Sequence, residues 1–277
     1  ENTPQEIWDA AFDVMHSFGG QPAFYNPKVL LGGLKEKLNI ADDDIKSFCG
    51  GGCTESMIAG MSNVGSLDAG INLLLVFENV MYNYLPKARC FEDFYDKYID
   101  EVQQVAENIM QKISLSQEER AKFNPLPMRS FLIDDCIDTE TEYNNGGARY
   151  KWSIINFGGL INVVDAMLTV KDFIFDGKSI DAYEFLNKLK DNDEEFLSKC
   201  RKTKLCFGID EEYANVFVRK LSHDVFSMLD NKTPYLGGKF IPASIQFNSQ
   251  VWAGKAIGAT PDGRRAGEPL CDSLGAI

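Results

Sequence analysis

The sequence predicts an α/β protein with its strands at the centre. Long amphipathic stretches at helical spacing alternate with short strand-like runs, the pattern of helices packed on a central sheet. The 277 residues contain no internal repeat, no low-complexity tract and no Pro/Ser-rich linker. One continuous domain is therefore expected, with a division conceivable only near residue 190.

Helical periodicity is read near Gln5–Ser17, Leu67–Tyr84, Phe91–Ile113 and Asn162–Phe175. Ser116-Gln117-Glu118-Glu119 has the form of a capping box opening another short helix, and Asp210 is placed to cap a helix over Glu211–Leu229. The acidic run from Asp191 to Glu195 reads as a solvated helix start. Strand candidates are Pro22–Tyr25, the segment entering Cys53, Met128–Ile133, Ala148–Ile154, Phe240–Phe247 and Val251–Ile257. Asn144-Asn145-Gly146-Gly147 and Pro234-Tyr235-Leu236-Gly237-Gly238 are turn-rich joins.

A net charge of −13, with no basic stripe, argues against nucleic acid and anionic membrane as partners. The longest apolar runs, such as Ile71 to Phe77, are too short to cross a bilayer, and the first residues lack a secretory signal pattern. A cytoplasmic protein is expected. Seven cysteines without a Cys-x-x-Cys pair and two distant histidines, His16 and His223, suggest neither a disulfide framework nor a metal site.

The densest chemistry lies in Gly50-Gly51-Gly52-Cys53-Thr54-Glu55. Glycines accept positive φ and let the backbone pass close to another group, so a cysteine on such a loop is presented rather than merely packed. In an extended segment Cys53 and Glu55 leave the backbone on the same side, and thiol and acid–base chemistry can meet at one carbon atom. The same residues also fit a glycine-rich turn carrying a buried thiol that acts as a small hydrophobe. Near the other end lies Gly258-Ala259-Thr260-Pro261-Asp262-Gly263-Arg264, whose Pro-Asp-Gly is a tight turn. Arg264 and Arg265 are expected to be exposed, either solvated or in structural ion pairs.

Together, Gly-Cys-Thr-Glu and, about two hundred residues later, Gly-Ala-Thr-Pro-Asp-Gly-Arg resemble the glycyl radical enzymes of the pyruvate formate-lyase-like superfamily. Gly20-Gln21-Pro22-Ala23-Phe24-Tyr25-Asn26, Asn145-Gly146-Gly147-Ala148-Arg149-Tyr150, Gly158 and Asn162-Val163-Val164-Asp165-Ala166 follow the same order. The resemblance covers nearly the whole chain. It implies part of a ten-stranded α/β barrel of two antiparallel half-barrels with a cysteine finger loop inside, Cys53 at the fingertip. Residues 1–277 would be its central to C-terminal portion, without the N-terminal part and without the C-terminal glycine radical domain, and inactive alone.

By the same resemblance Cys53 is the thiyl-radical residue and Glu55 a general base. Thr54, Ser56, Gln246 and Asn248 are candidate substrate contacts; each also fits an ordinary loop or strand hydrogen-bonding group. Cys49, Cys136, Cys200, Cys206 and Cys271 read as structural thiols. No bound cofactor is implied. A protein-based glycyl radical outside this chain would be installed by an iron–sulfur S-adenosylmethionine activating enzyme, which is the implied protein partner of an anaerobic homodimer acting on a small molecule. The pattern departs in two places. No Gly-Tyr dipeptide, part of the radical-glycine segment, occurs here, and Cys53 lacks the adjacent cysteine of pyruvate formate-lyase itself. The leading expectation is a dehydratase or other carbon–heteroatom lyase on a small polar substrate. An arylacetate-type decarboxylase, a formate-lyase-like acyltransferase and a non-catalytic relative are the alternatives.

Overall fold

A computed structural model describes residues 3–18, 26–51, 55–65, 68–203, 205–209, 212–244, 248–272 and 275. The chain divides into two compact units, Glu1–Ala59 and Gly60–Ile277. Within the first, helices α1 (Gln5–Phe18) and α2 (Pro27–Leu38) precede an antiparallel pair, β1 (Phe48–Gly51) and β2 (Glu55–Ile58). Helix α2 was not expected; Asn26 caps it by accepting from the Lys28 N–H, with Pro27 fixing the first helical φ. The expected strand at 22–25 lies outside the described residues.

The second unit is built on three parallel strands in the order β3 (Ala69–Asn72), β4 (Trp152–Gly158), β5 (Lys239–Ala243). Strand β4 is central and mostly buried, as a parallel strand covered on both faces must be. It begins four residues after the expected start at Ala148. The sheet stays open at both edges among the described residues.

Helices α3 (Leu73–Tyr84) and α4 (Phe91–Phe123), followed by the short α5 (Pro127–Ser130), connect β3 to β4. Helices α6 (Leu160–Val170), α7 (Ala182–Lys190), α8 (Glu194–Arg201) and α9 (Glu212–Phe226) lead from β4 to β5, and α10 (Ser249–Lys255) follows. The apolar core joins α3, α4, α6 and α9 to the sheet, with Phe77 edge-on to Phe94 and Tyr98 at centroid distances of 6.0 and 6.1 Å. No helix among the described residues is long and apolar enough to cross a membrane.

Four expectations are corrected. The helix expected from Leu67 starts at Leu73, because Ala69–Asn72 pair with β4 and Asn72 caps the helix by accepting from the Leu75 N–H at 3.2 Å. Ser116 opens no helix: α4 runs straight through it, free of glycine and proline, and ends at Asn124 ahead of Pro125. Tertiary pairing holds that extension, since Gln117 donates to Ser153 Oγ at 2.6 Å. Met128–Ile133 is the helix α5 and a turn, pinned by Glu142, whose Oε1 accepts from the Leu126 N–H at 2.6 Å. Val251–Ile257 is the helix α10; Gly254 packs on the Glu268 carbonyl so closely that a Cβ there would collide with backbone. The acidic run behaves as expected, with Asp193 capping α8 through the Phe196 N–H.

Candidate active site

The β1–β2 pair frames the Gly-Cys-Thr-Glu segment. Phe48 registers with Ile58, Gly50 with Ser56 and Gly51 with Glu55, so residues 52–54 are the connection. Cys53 and Thr54 lie in that connection and outside the described residues. Glu55 opens β2 and is 8% exposed. Its cross-strand partner is Gly51, so no side chain stands directly opposite the carboxylate. Ser56 is half-buried on the same strand. Cys49, half-buried, pairs with Met57.

Of the other two candidates, only Asn248 lies among the described residues, and it is not on a strand. Strand β5 stops at Ala243, Gln246 lies outside the described residues, and Asn248 is an exposed residue at the start of α10 whose side chain makes no capping hydrogen bond.

In the second unit, the Pro-Asp-Gly-Arg turn is the centre of a buried polar network. Gly263 N–H donates to the Thr260 carbonyl at 2.9 Å, and Gly263 holds φ +88°, where a Cβ would strike the Leu197 carbonyl and the Arg201 backbone. Arg264, expected at the surface, is 4% exposed. Its guanidinium donates to the carbonyls of Glu268 at 2.7 Å, Arg265 at 3.0 Å and Gly258, and its Nε to Thr260 Oγ1 at 3.1 Å. These donors close the loop on itself. Burial pulls the Arg264 pKa down against the opposing charges of Asp262, Glu78 and Glu268, and the group remains a cation. Arg265 behaves as expected: it is an exposed ion pair, with its Nη2 2.7 Å from Glu194 Oε2.

Helix α6 holds the turn in place. Asn162 Nδ2 donates to Asp262 Oδ2 at 2.6 Å, while its Oδ1 accepts from the Cys271 N–H at 2.9 Å. One turn on, Asp165 Oδ1 accepts from the Phe207 N–H at 2.8 Å. Burial pushes the Asp165 carboxyl up to about 7. These linking roles were missed in the sequence, where the signal is two polar residues three apart inside an otherwise apolar helix. A cavity of about 300 Å³ beside the turn is lined by Asn162, Arg201, Arg264, Glu268, Leu270 and Cys271. Burial raises the thiols of Cys271 to about 11 and Cys200 to about 12, so both are protonated at neutral pH and chemically quiet. Among the described residues no group of three or more His, Cys, Asp or Glu side chains is arranged to hold a metal ion.

The profile of the pyruvate formate lyase-like family matches residues 1–254. The chain belongs to this family. Its sequence is 23% identical to the trans-4-hydroxy-L-proline dehydratase of Clostridioides difficile, covering 99% of this chain and 37% of the dehydratase. It is 22% identical to the (2S)-3-sulfopropanediol dehydratase of Klebsiella oxytoca, over 100% of this chain and 36% of that enzyme. In structure it superposes on the glycerol-bound B12-independent glycerol dehydratase of Clostridium butyricum with a TM-score of 0.92 and 23% identity, over 100% of this chain and 37% of the other. The chain thus spans a little over a third of the length of these relatives, and the expected α/β fold of the glycyl radical enzymes is shown.

Proposed function

We propose that this chain carries the cysteine and the base of a glycyl radical lyase, most simply a dehydratase acting on a small hydroxylated substrate. The observation that carries the reading is the β1–β2 pair, which buries Glu55 opposite a glycine and two residues beyond Cys53. The names of the two curated relatives support the substrate class, since both are dehydratases of small hydroxylated molecules.

In this reading the Cys53 thiyl takes a hydrogen atom from a substrate carbon bearing a hydroxyl, forming the S–H bond and leaving a carbon radical. Glu55 accepts the hydroxyl proton as a general base. The resulting radical anion expels the leaving group on the neighbouring carbon with its electron pair, and the leaving hydroxyl takes the proton back from Glu55 to depart as water. The product radical then recovers a hydrogen atom from Cys53, which restores the thiyl. Cys53 is first made a radical by a glycine that this sequence does not contain, installed by an S-adenosylmethionine-dependent activating enzyme. Thr54 and Ser56 flank the reacting pair and are proposed substrate contacts; Gln246 and Asn248 are secondary ones.

The test is Cys53→Ser in the full-length protein, activated anaerobically and followed by electron paramagnetic resonance. A normal glycyl signal with no product is expected. Turnover that survives the substitution removes Cys53 from the mechanism.

A further inference from the structure

None of the residues proposed for the chemistry lines a second polar cavity, of about 160 Å³, in the unit formed by residues 60–277. Its floor is fixed by Gln117, which donates to Ser153 Oγ at 2.6 Å and accepts from the Leu236 N–H at 3.3 Å. Two arginines line it with little to hold them. Arg120 of α4 makes a long ion pair with Asp68, its Nη2 3.7 Å from Oδ1, beyond hydrogen-bond distance. Arg129 of α5 lies over the Tyr143 ring, 5.0 Å from its centroid, with no carboxylate at ion-pair distance among the described residues. Asp68 contributes the opposite need: its Oδ2 is buried and has no hydrogen-bond partner among the described residues. Burial pushes the Asp68 carboxyl up, against the opposing pull of Arg120, Ser153 and the Ile154 N–H, and a buried oxygen without a donor is costly.

An arginine in a long ion pair with Asp68, an arginine with no carboxylate at ion-pair distance among the described residues, and one carboxylate oxygen without a hydrogen-bond partner among them surround a single polar cavity, and together they are complementary to one kind of molecule. We infer that this cavity binds a small carboxylate bearing a hydrogen-bond donor on the adjacent carbon, that is, a 2-hydroxy or 2-amino acid. The ligand carboxylate lies between the Arg120 and Arg129 guanidinium groups, which suit planar oxyanions, and its hydroxyl or ammonium is donated to Asp68 Oδ2. Size agrees, because a cavity of about 150 Å³ accommodates benzene, and lactate and alanine have the same number of heavy atoms. Arg129 retains its face on Tyr143, a contact that a bound carboxylate leaves intact.

Isothermal titration with lactate and with alanine tests the inference, with acetate lacking the donor and 1,2-propanediol lacking the carboxylate. Saturable binding of lactate or alanine is expected, whichever donor Asp68 prefers, with acetate and propanediol each about tenfold weaker or worse. Arg129→Gln should weaken the acid by about tenfold, the loss of one charge-assisted contact, and Asp68→Asn should narrow the gap between that acid and acetate. No saturable binding of either acid up to about 50 mM, or affinity unchanged in Arg129→Gln, overturns the site. If a variant does not fold by circular dichroism, wild-type discrimination between the acid and acetate decides alone: equal affinities overturn it. Failure here leaves the Cys53 reading standing, since the two share no residue.

Discussion

Gly51 pairs with Glu55 across two strands and Gly263 turns the chain into Arg264, and the charged groups beside these glycines differ in what surrounds them. Glu55 is buried on a short two-stranded pair with a glycine for its cross-strand neighbour. Arg264 is equally buried, but its donors are consumed by backbone carbonyls and a threonine hydroxyl of its own loop. A buried charge whose hydrogen bonds are taken by the carbonyls around it holds shape, and the Arg264 guanidinium is of that kind. We propose that the two regions divide the work, with Arg264 architectural and Glu55 the base of the proposed function.

The strongest way to break that division is to neutralise Glu55 without changing its size. Glu55→Gln in the activated full-length protein is expected to lower turnover by about 10²–10⁴-fold, the usual contribution of a general base, while leaving the fold and the glycyl signal intact. Wild-type kinetics would return Glu55 to the class of structural carboxylates. The matching change in the other region is Arg264→Met. It leaves the carbonyls of Gly258, Arg265 and Glu268 without their donor and Asp262 and Glu78 without a counter-charge, so urea denaturation should show a loss of about 3–5 kcal/mol. A loss below about 1 kcal/mol would mean that the network is ornamental.

Asp165 sharpens the comparison, since it is a buried acid on the architectural side. Its folded carboxyl titrates at about 7 against an ordinary 3.8, so the folded state holds the proton more tightly than the unfolded one. The stability this gives is complete below about pH 4 and is lost as the pH rises through about 7, a total of about 4 kcal/mol. Asparagine keeps the acceptor for the Phe207 N–H without a charge to bury. Asp165→Asn should match wild type near pH 4 and exceed it by up to that amount at pH 8 in denaturant titrations. Parallel curves across pH 4–8 would show that Asp165 is not the group that titrates.

Much of this was legible in the sequence, for reasons that differ by element. The α/β class, α1 and the start of α4 follow from periodicity; in α4 it survives folding because one face of the helix is buried, whereas no described side chain of α1 or β1 is fully buried. Local patterns failed where a distant partner decided. Ser116 reads as a cap, but Gln117 is drawn into α4 by Ser153; Val251–Ile257 reads as a strand, but its glycine seats against the Glu268 carbonyl. Arg264 was misjudged for the same reason. Spacing cannot reveal that five acceptors will converge on a guanidinium from residues up to ten positions away. Glu55 and Ser56 were named from the motif alone, and the β1–β2 register supplies the geometry that the motif could only imply.

The smallest expected effect is also the cleanest control, because it lies one residue from one of the largest. Arg265 makes an ion pair with Glu194 and sits near Glu268, but all three side chains are roughly half exposed. In high dielectric the Coulomb gain is modest, two long side chains must be held in place, and salt screens what remains. Arg265→Ala should therefore cost little at low salt and nothing measurable near 1 M, against the salt-insensitive loss for Arg264→Met. Ala266, whose N–H donates to Asn192 Oδ1 at 2.9 Å, keeps the loop attached to the turn before α8 without the arginine. If Arg265→Ala proved as costly as Arg264→Met, the turn would be held from its surface rather than from its buried guanidinium, and the division between the two regions would have to be drawn elsewhere.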